Sequence, residues 1–251
     1  MLPTVPSSKL DALIERPAIT MPHGGPEHRD RPGFDPLAQA PADRGQLVIQ
    51  PQFRGSSGFG VEHWEAGIGD WRGRMQDDLV DALDALVKAR PIDPERACIV
   101  GTRRRGCAAL AGGAFHADRR RGILSNVGTP DLDTFLWTTS AHGRRSLVLD
   151  DLRRIIGVDA DNRDDILEAD SPSKLAKRFR APVLLIHGED EDGVPIAQSE
   201  RMHRPLKRAG PTVRFVELED DDHSLHRPAS HLRVREETVS FVECDLAQPA
   251  H

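Results

Sequence analysis

Short β-rich runs alternate with helical patterns along this chain, and that alternation constrains its fold more than any other feature. The runs 46–50, 97–101, 123–127, 182–187 and 213–218 are separated by stretches of helical periodicity. Strand, crossover helix, strand is the order of a parallel sheet covered by helices on both faces. The clearest helix is 76–89. There Leu79, Ala82, Leu83, Leu86 and Val87 share a face, and Asp77 and Asp78 sit in the first turn, where the helix dipole favours acids. Residues 108–115 read as a helix of small side chains packed close to the sheet. Residues 232–246 read as a last helix with Leu232, Val239, Val242 and Leu246 on one stripe. Asp35-Pro36 supplies an N-cap followed by proline at the first helical position. Pro41 and Pro205 fall inside helical patterns, where each costs about 3 kcal/mol, so both helices are expected to be shortened or kinked. With no repeat and no long linker, the chain reads as one domain over 23–246, preceded by a short segment 1–22 and followed by a tail 247–251.

Composition narrows the function classes. Hydrophobic residues are 38% of 251, and with 21 glycines the share is that of an ordinary globular chain. The net charge of −6 argues against a general nucleic-acid partner, which needs a basic field. The longest aliphatic stretch, Val183-Leu184-Leu185-Ile186, is too short to span a bilayer, so no membrane partner is expected. Residues 1–16 lack the cationic start and apolar core of a secretory signal. Cys98, Cys107 and Cys244 are an odd number without paired spacing, which suits a reduced, cytoplasmic protein. All but five of the 34 Lys and Arg residues are arginine, and the triplets 103–105 and 119–121 are the strong local basic signals. There is no tyrosine. No zinc-spaced ligand cluster and no phosphate-loop motif is visible, so neither metal nor cofactor is expected.

Four local patterns bear on chemistry. His23-Gly24-Gly25-Pro26 precedes a helix, and glycines there let backbone N–H groups approach a ligand, as in the oxyanion loop of α/β-hydrolases. The stretch from Gln50 to Gly60 (QPQFRGSSGFG) is followed by Trp64, Gly67, Gly69, Trp71 and the helix opened by Met75-Gln76-Asp77-Asp78. His187-Gly188-Glu189-Asp190-Glu191-Asp192-Gly193 directly follows a strand, and Asp221-Asp222-His223 follows the next one. An acid after one strand and a histidine after the next is the second half of the hydrolase order nucleophile, acid, histidine. Each pattern alone is also what a plain turn, a Gly-rich loop or a solvated acidic loop looks like.

Taken together and in this order, they resemble the catalytic domain of the prolyl oligopeptidase family, close to its acylaminoacyl-peptidase-like branch. The likeness runs from His23 to about Leu246 and includes Asp93-Pro94-Glu95-Arg96 before the strand 97–101. It implies an α/β-hydrolase fold, a mostly parallel sheet with helices on both faces and truncated N-terminal strands. It also implies serine-type hydrolysis of a peptide or small acyl substrate through a Ser-His-Asp triad. On this chain the base position falls on His223 and the acid position on Glu191, with Asp190 and Asp192 as substitutes. The oxyanion donors fall on the backbone N–H groups of Gly24, Gly25 and Arg104. Family members carry a β-propeller and several strands ahead of the His-Gly-Gly-Pro loop. Here only 1–22 precede it, with room for one short strand around 18–21. The expectation is an exposed sheet edge and, through it, homo-oligomers.

The resemblance breaks at the nucleophile. The family pattern Gly-x-Ser-x-Gly-Gly reads here Gly101-Thr102-Arg103-Arg104-Arg105-Gly106, so the serine position is Arg103. A guanidinium is not deprotonated in proteins and does not attack a carbonyl. Arg105 stands where a small residue lets helix and strand approach, and Arg104 and Cys107 stand where the family usually has tyrosine. The chain therefore reads as a family member without triad catalysis, a pseudoenzyme. Two alternatives stay open: an active hydrolase with a substitute nucleophile such as Cys107 or Ser125, and a domain that binds anions or peptides through its arginine triplet at a helix N-terminus.

Overall fold

A computed structural model describes residues 2–4, 16–24, 27–71, 73–89, 92–102, 104–141, 146–191, 193–219, 221 and 227–247. Its strands are β1 (Leu2–Thr4), β2 (Arg16–Thr20), β3 (Leu47–Gln50), β4 (Ile92–Thr102), β5 (Gly122–Asn126), β6 (Val183–Gly188) and β7 (Val213–Leu218). Its helices are α1 (Pro36–Asp43), α2 (Val61–Glu65), α3 (Arg74–Ala89), α4 (Arg104–Phe115), α5 (Leu132–Ala141), α6 (Ser146–Ile156), α7 (Arg163–Asp170), α8 (Ala197–Ala209) and α9 (Pro228–Ala247). The strands form one sheet in the order β1-β3-β2-β4-β5-β6-β7. Every pairing from β3 to β7 is parallel, and β1 lies antiparallel to β3.

Side-chain alternation along the central strands divides the core in two. Val100, Leu124, Leu184 and Ile186 point to one face and pack with Ala38, Ala42, Val234 and Phe241 of α1 and α9. Ile99, Ile123, Val183 and Leu185 point to the other and pack with Met75, Leu79, Leu110, Met202 and Leu206 of α3, α4 and α8. Strands buried on both faces have no polar side to show, which is why β6 opens on the aliphatic run Val183-Leu184-Leu185-Ile186. A third cluster, built on Leu132, Phe135, Leu152, Ile156 and Leu167, holds α5, α6 and α7 together as a cap.

Several expectations need correction. Segment 1–22 contributes two strands rather than one. β1 pairs with β3 at Leu2↔Gln50, Pro3↔Ile49 and Thr4↔Val48, so that edge carries a short antiparallel strand in place of bare parallel backbone. Asp93-Pro94-Glu95-Arg96 lies inside β4, where the pairing with β2 shifts register between Arg16 and Ala18; an irregularity is where a sheet admits proline. Helix α1 is short as expected and ends two residues beyond Pro41. Its Asp35 side chain accepts from the backbone N–H groups of Leu37 and Ala38 at 3.0 and 3.3 Å. Helix α8, however, runs through Pro205 to Ala209. Met202 and Leu206 are fully buried on either side of that proline, and Arg201, one turn before it, is exposed to solvent. Packing therefore outweighs the lost hydrogen bond. In α9 the buried apolar residues among those described are Val234, Phe241 and Val242, whereas Leu232 is 50% exposed and Val239 half-buried, so the expected stripe is rotated. No helix among the described residues is long and apolar enough to cross a membrane.

Candidate active site

In a sheet whose strands run parallel, the loops leaving their C-terminal ends converge on one rim, and there ligands bind in α/β folds. The described sequence-selected positions fall on that rim. His23 and Gly24 follow β2, Phe53 and Ser56 follow β3, Arg104 follows β4, Glu191 follows β6, and Asp221 follows β7.

The first two motifs form one unit. His23 is buried and stacks on Phe53 with ring centroids 4.2 Å apart and planes 12° from parallel. The Ser56 hydroxyl donates to the Phe53 carbonyl at 2.5 Å, so the 2.6 Å contact between His23 Nε2 and Ser56 Oγ is donated by the imidazole N–H. The loop is also tied to α3. Arg54 donates through Nε and its terminal nitrogen to Asp78 at 2.8 and 2.6 Å, and its backbone N–H adds a third bond at 2.9 Å. Burial pushes the Asp78 carboxyl up, but the hydrogen bonds from Arg54 outweigh it and hold the group below its ordinary value. Gly55 and Gly67 meet where a Cβ on Gly67 would lie 2.6 Å from the Gly55 Cα. These contacts tie the loop to α3 and to His23, the residue before Gly24. Gly25 lies outside the described residues.

The strand–turn–helix element is tight. A single position separates the last residue of β4, Thr102, from the first of α4, Arg104. That position is Arg103, which lies outside the described residues; the backbone of Arg104 opens α4. Close approach of the helix depends on Gly106, where a Cβ would lie 2.7 Å from the Gly128 Cα in the loop after β5. The same loop holds Val127 at φ 53°, a left-handed conformation that costs a β-branched residue about 1–3 kcal/mol. Its N–H donates to the Ile186 carbonyl at 2.8 Å, which locks the end of β5 onto β6. Just before it, Ser125 and Asn126 are almost fully buried, and their side-chain polar atoms lack hydrogen-bond partners among the described residues.

Both candidate substitute nucleophiles are buried. Cys107 is buried in the cluster that holds the cap, and burial pushes its thiol up to about 11, which leaves almost no thiolate at neutral pH. It lines a cavity of about 40 Å³ behind α4, together with His23, Phe53, Trp71, Gln76 and Asp170. Ser125 is 1% exposed, and its Oγ lies 2.6 Å from where a Cβ on Gly106 would stand.

On the far side of the rim, the described acids differ in burial. Asp190 is exposed, Asp192 lies outside the described residues, and Glu191 is buried. Glu191 Oε1 accepts from the backbone N–H groups of Gly193 and Val194 at 2.7 and 3.0 Å, which fixes the direction of its carboxylate. His187 braces the same turn. Its Nε2–H donates to the Val194 carbonyl at 2.7 Å, so Nδ1 accepts from the Ser199 hydroxyl, also at 2.7 Å. The backbone N–H groups of Glu189 and Asp190 donate to the carbonyls of Leu218 and Asp221, both at 3.1 Å. The acid-bearing turn is thus bonded to a residue two positions ahead of His223, which itself lies outside the described residues. Among the described residues no three His, Cys, Asp or Glu side chains converge as metal ligands.

Sequence reasoning missed the Arg54–Asp78 clamp, the His23–Ser56 bond and the brace of His187 on Ser199. They link positions 24, 33 and 12 residues apart with no local periodicity.

Comparison with known proteins agrees with this geometry. Residues 32–248 match the model of the prolyl oligopeptidase family. Dipeptidyl aminopeptidase BIII of Pseudoxanthomonas mexicana is 31% identical over 238 residues, covering 93% of this chain and 34% of that protein. A Mycobacterium tuberculosis puromycin-hydrolyzing peptidase superposes with a TM-score of 0.85 at 26% identity, over 94% of this chain and 35% of the other. An acylaminoacyl peptidase bound to a chloromethyl ketone shares the fold, with a TM-score of 0.86 at 21% identity over 99% of this chain and 40% of the other. The chain spans about a third of the length of the curated relatives it matches.

Proposed function

Since this chain belongs to the prolyl oligopeptidase family, we propose that it is a peptidase-type α/β-hydrolase domain that has kept the scaffold of peptide hydrolysis and lost its acylating step. The observation that carries this reading is Arg103 at the one position between β4 and α4. In a working member a serine hydroxyl there attacks the scissile carbonyl, a histidine takes the proton, and an acid orients the histidine. Arg103 has neither a lone pair to attack with nor a proton to yield at neutral pH. Glu191 and His223 occupy the acid and base positions, and the backbone N–H groups of Gly24, Gly25 and Arg104 the oxyanion positions. With no acyl-enzyme to form, this machinery has nothing to act on.

The buried, thiol-form state of Cys107 and the enclosure of Ser125 both support the absence of a replacement nucleophile. Two cysteines buried as free thiols and the exposed thiol of Cys244 suit a reducing compartment, in keeping with a cytoplasmic protein.

The test is a hydrolysis assay with dipeptidyl and acylaminoacyl p-nitroanilides and with puromycin, chosen after the names of the relatives. The wild-type chain is expected to match the no-enzyme rate. Turnover that disappears in His223→Ala overturns the reading.

A further inference from the structure

Helices α3 and α4 pack together, and the small side chains Ala108 and Ala111 of α4 leave beside them the cavity of about 40 Å³ that Cys107 also lines. Its size limits what it can hold. It exceeds the roughly 10–15 Å³ that one water needs, and it falls far short of the roughly 150 Å³ that admits an aromatic ring. Size alone does not make such a space wet, because a purely apolar cavity stays dry.

Polar atoms in its walls decide the matter. Gln76 is 3% exposed, and its side-chain N–H donates to the Trp71 carbonyl at 3.3 Å. That bond pins the amide and leaves Oε1, an acceptor, buried without a partner among the described residues. Oε1 faces α4, since a Cβ on Gly112 would lie 3.4 Å from it. The indole N–H of Trp71, a donor, is buried and equally without a partner there. His23, just after β2, and Asp170, at the end of α7, add polar surface to the same walls. Each orphaned atom carries a desolvation penalty that one hydrogen bond removes. An anion would be repelled by Gln76 Oε1 and a cation by the indole N–H. The occupant that suits both is neutral, donates and accepts at once, and is no larger than water.

We propose that this cavity is a built hydration site, in which an ordered water donates to Gln76 Oε1 and accepts from the Trp71 indole N–H. The water is then part of the seam between α3 and α4. The inference is independent of whether the rim is catalytic.

Water-selective NOE and ROE spectra of the 15N-labelled chain are the test. The three tryptophans supply three indole N–H signals, and Trp71→Phe identifies the relevant one by its loss. A cross-peak from water to the Trp71 indole is expected, with the opposite signs in the two spectra that separate a long-lived water from simple proton exchange. Gln76→Leu removes the acceptor, keeps most of the volume and should abolish the cross-peak. Its absence in the wild type overturns the inference, and so does its unchanged persistence in a folded Gln76→Leu. A second measurement uses the wild type alone, should Gln76→Leu not fold. Xenon under pressure enters dry apolar cavities. A hydrated cavity leaves the methyl signals of Met75 and Leu79, which line it, unshifted. A saturable xenon shift confined to those methyls means that the space is dry and overturns the inference.

Discussion

Arg120 is a costly side chain to bury in this core, and replacing it is expected to stabilise the protein. It is 3% exposed, just before β5, and its side chain donates to the Thr20 hydroxyl at 3.2 Å. Its Nε and second terminal nitrogen lack partners among the described residues. Burial pulls the guanidinium well below its ordinary value, to about 10. Each tenfold change in a proton equilibrium is worth about 1.36 kcal/mol, so holding the charge in the core at neutral pH costs about 3 kcal/mol. The bond to Thr20 returns about 1 kcal/mol. Arg120→Met keeps most of the volume and removes the charge, for a net gain of about 2 kcal/mol. In a chain of this size that raises Tm by about 4–8 °C. The linkage has a definite sign. Between about pH 10 and the ordinary arginine value the unfolded chain binds the proton and the folded chain does not, so wild-type stability rises with pH across that window. Below pH 10 the penalty is constant, and Arg120→Met should then lie above wild type by the same amount from pH 6 to 9. Urea unfolding followed by circular dichroism measures both. A variant less stable than wild type by more than about 1 kcal/mol refutes the reasoning, because it means the guanidinium has a buried counter-charge.

Other outcomes follow from the rim. Asp78→Asn leaves Arg54 without its carboxylate and should cost about 2 kcal/mol at pH 7, read by urea unfolding. Because the folded Asp78 carboxyl lies below its ordinary value, the wild-type advantage should be complete above the usual carboxylate range and vanish as pH falls through the folded value. Gly106→Ala drives a Cβ to within 2.7 Å of the Gly128 backbone and should cost about 1–3 kcal/mol; a melting curve that matches wild type contradicts the close approach. Ellman's reagent at pH 8 should modify Cys244 fast in the native protein and reach Cys98 and Cys107 only on unfolding. Rapid labelling of Cys107 in the folded chain reopens it as a nucleophile.

What could be read from the chain alone follows from which forces act locally. Strand β6 was legible because burial on both faces leaves a purely aliphatic run, and α3 because Leu79, Leu83 and Leu86 repeat at helical spacing on a half-exposed surface. The start of α1 was legible because an Asp cap acts within three residues. Strand β1 was not: three residues, one of them proline, carry no period, and their place is set by backbone pairing with β3, more than forty positions away. The passage of α8 through Pro205 depends on what Met202 and Leu206 touch. The site divides in the same way. The placing of Arg103 at the position the family pattern gives to serine rests on spacing from Gly101 and Gly106 alone. The burial of Glu191 and its two backbone donors, which set it apart from the exposed Asp190, exist only once the turn after β6 has folded.

Intact-mass spectrometry after incubation with a fluorophosphonate tests the central claim most directly, because the reagent reports an activated hydroxyl whatever the natural substrate. The account predicts the unmodified chain mass at all times, with His223→Ala indistinguishable from wild type. A stoichiometric adduct on any serine of the wild-type chain, absent in His223→Ala, would contradict it.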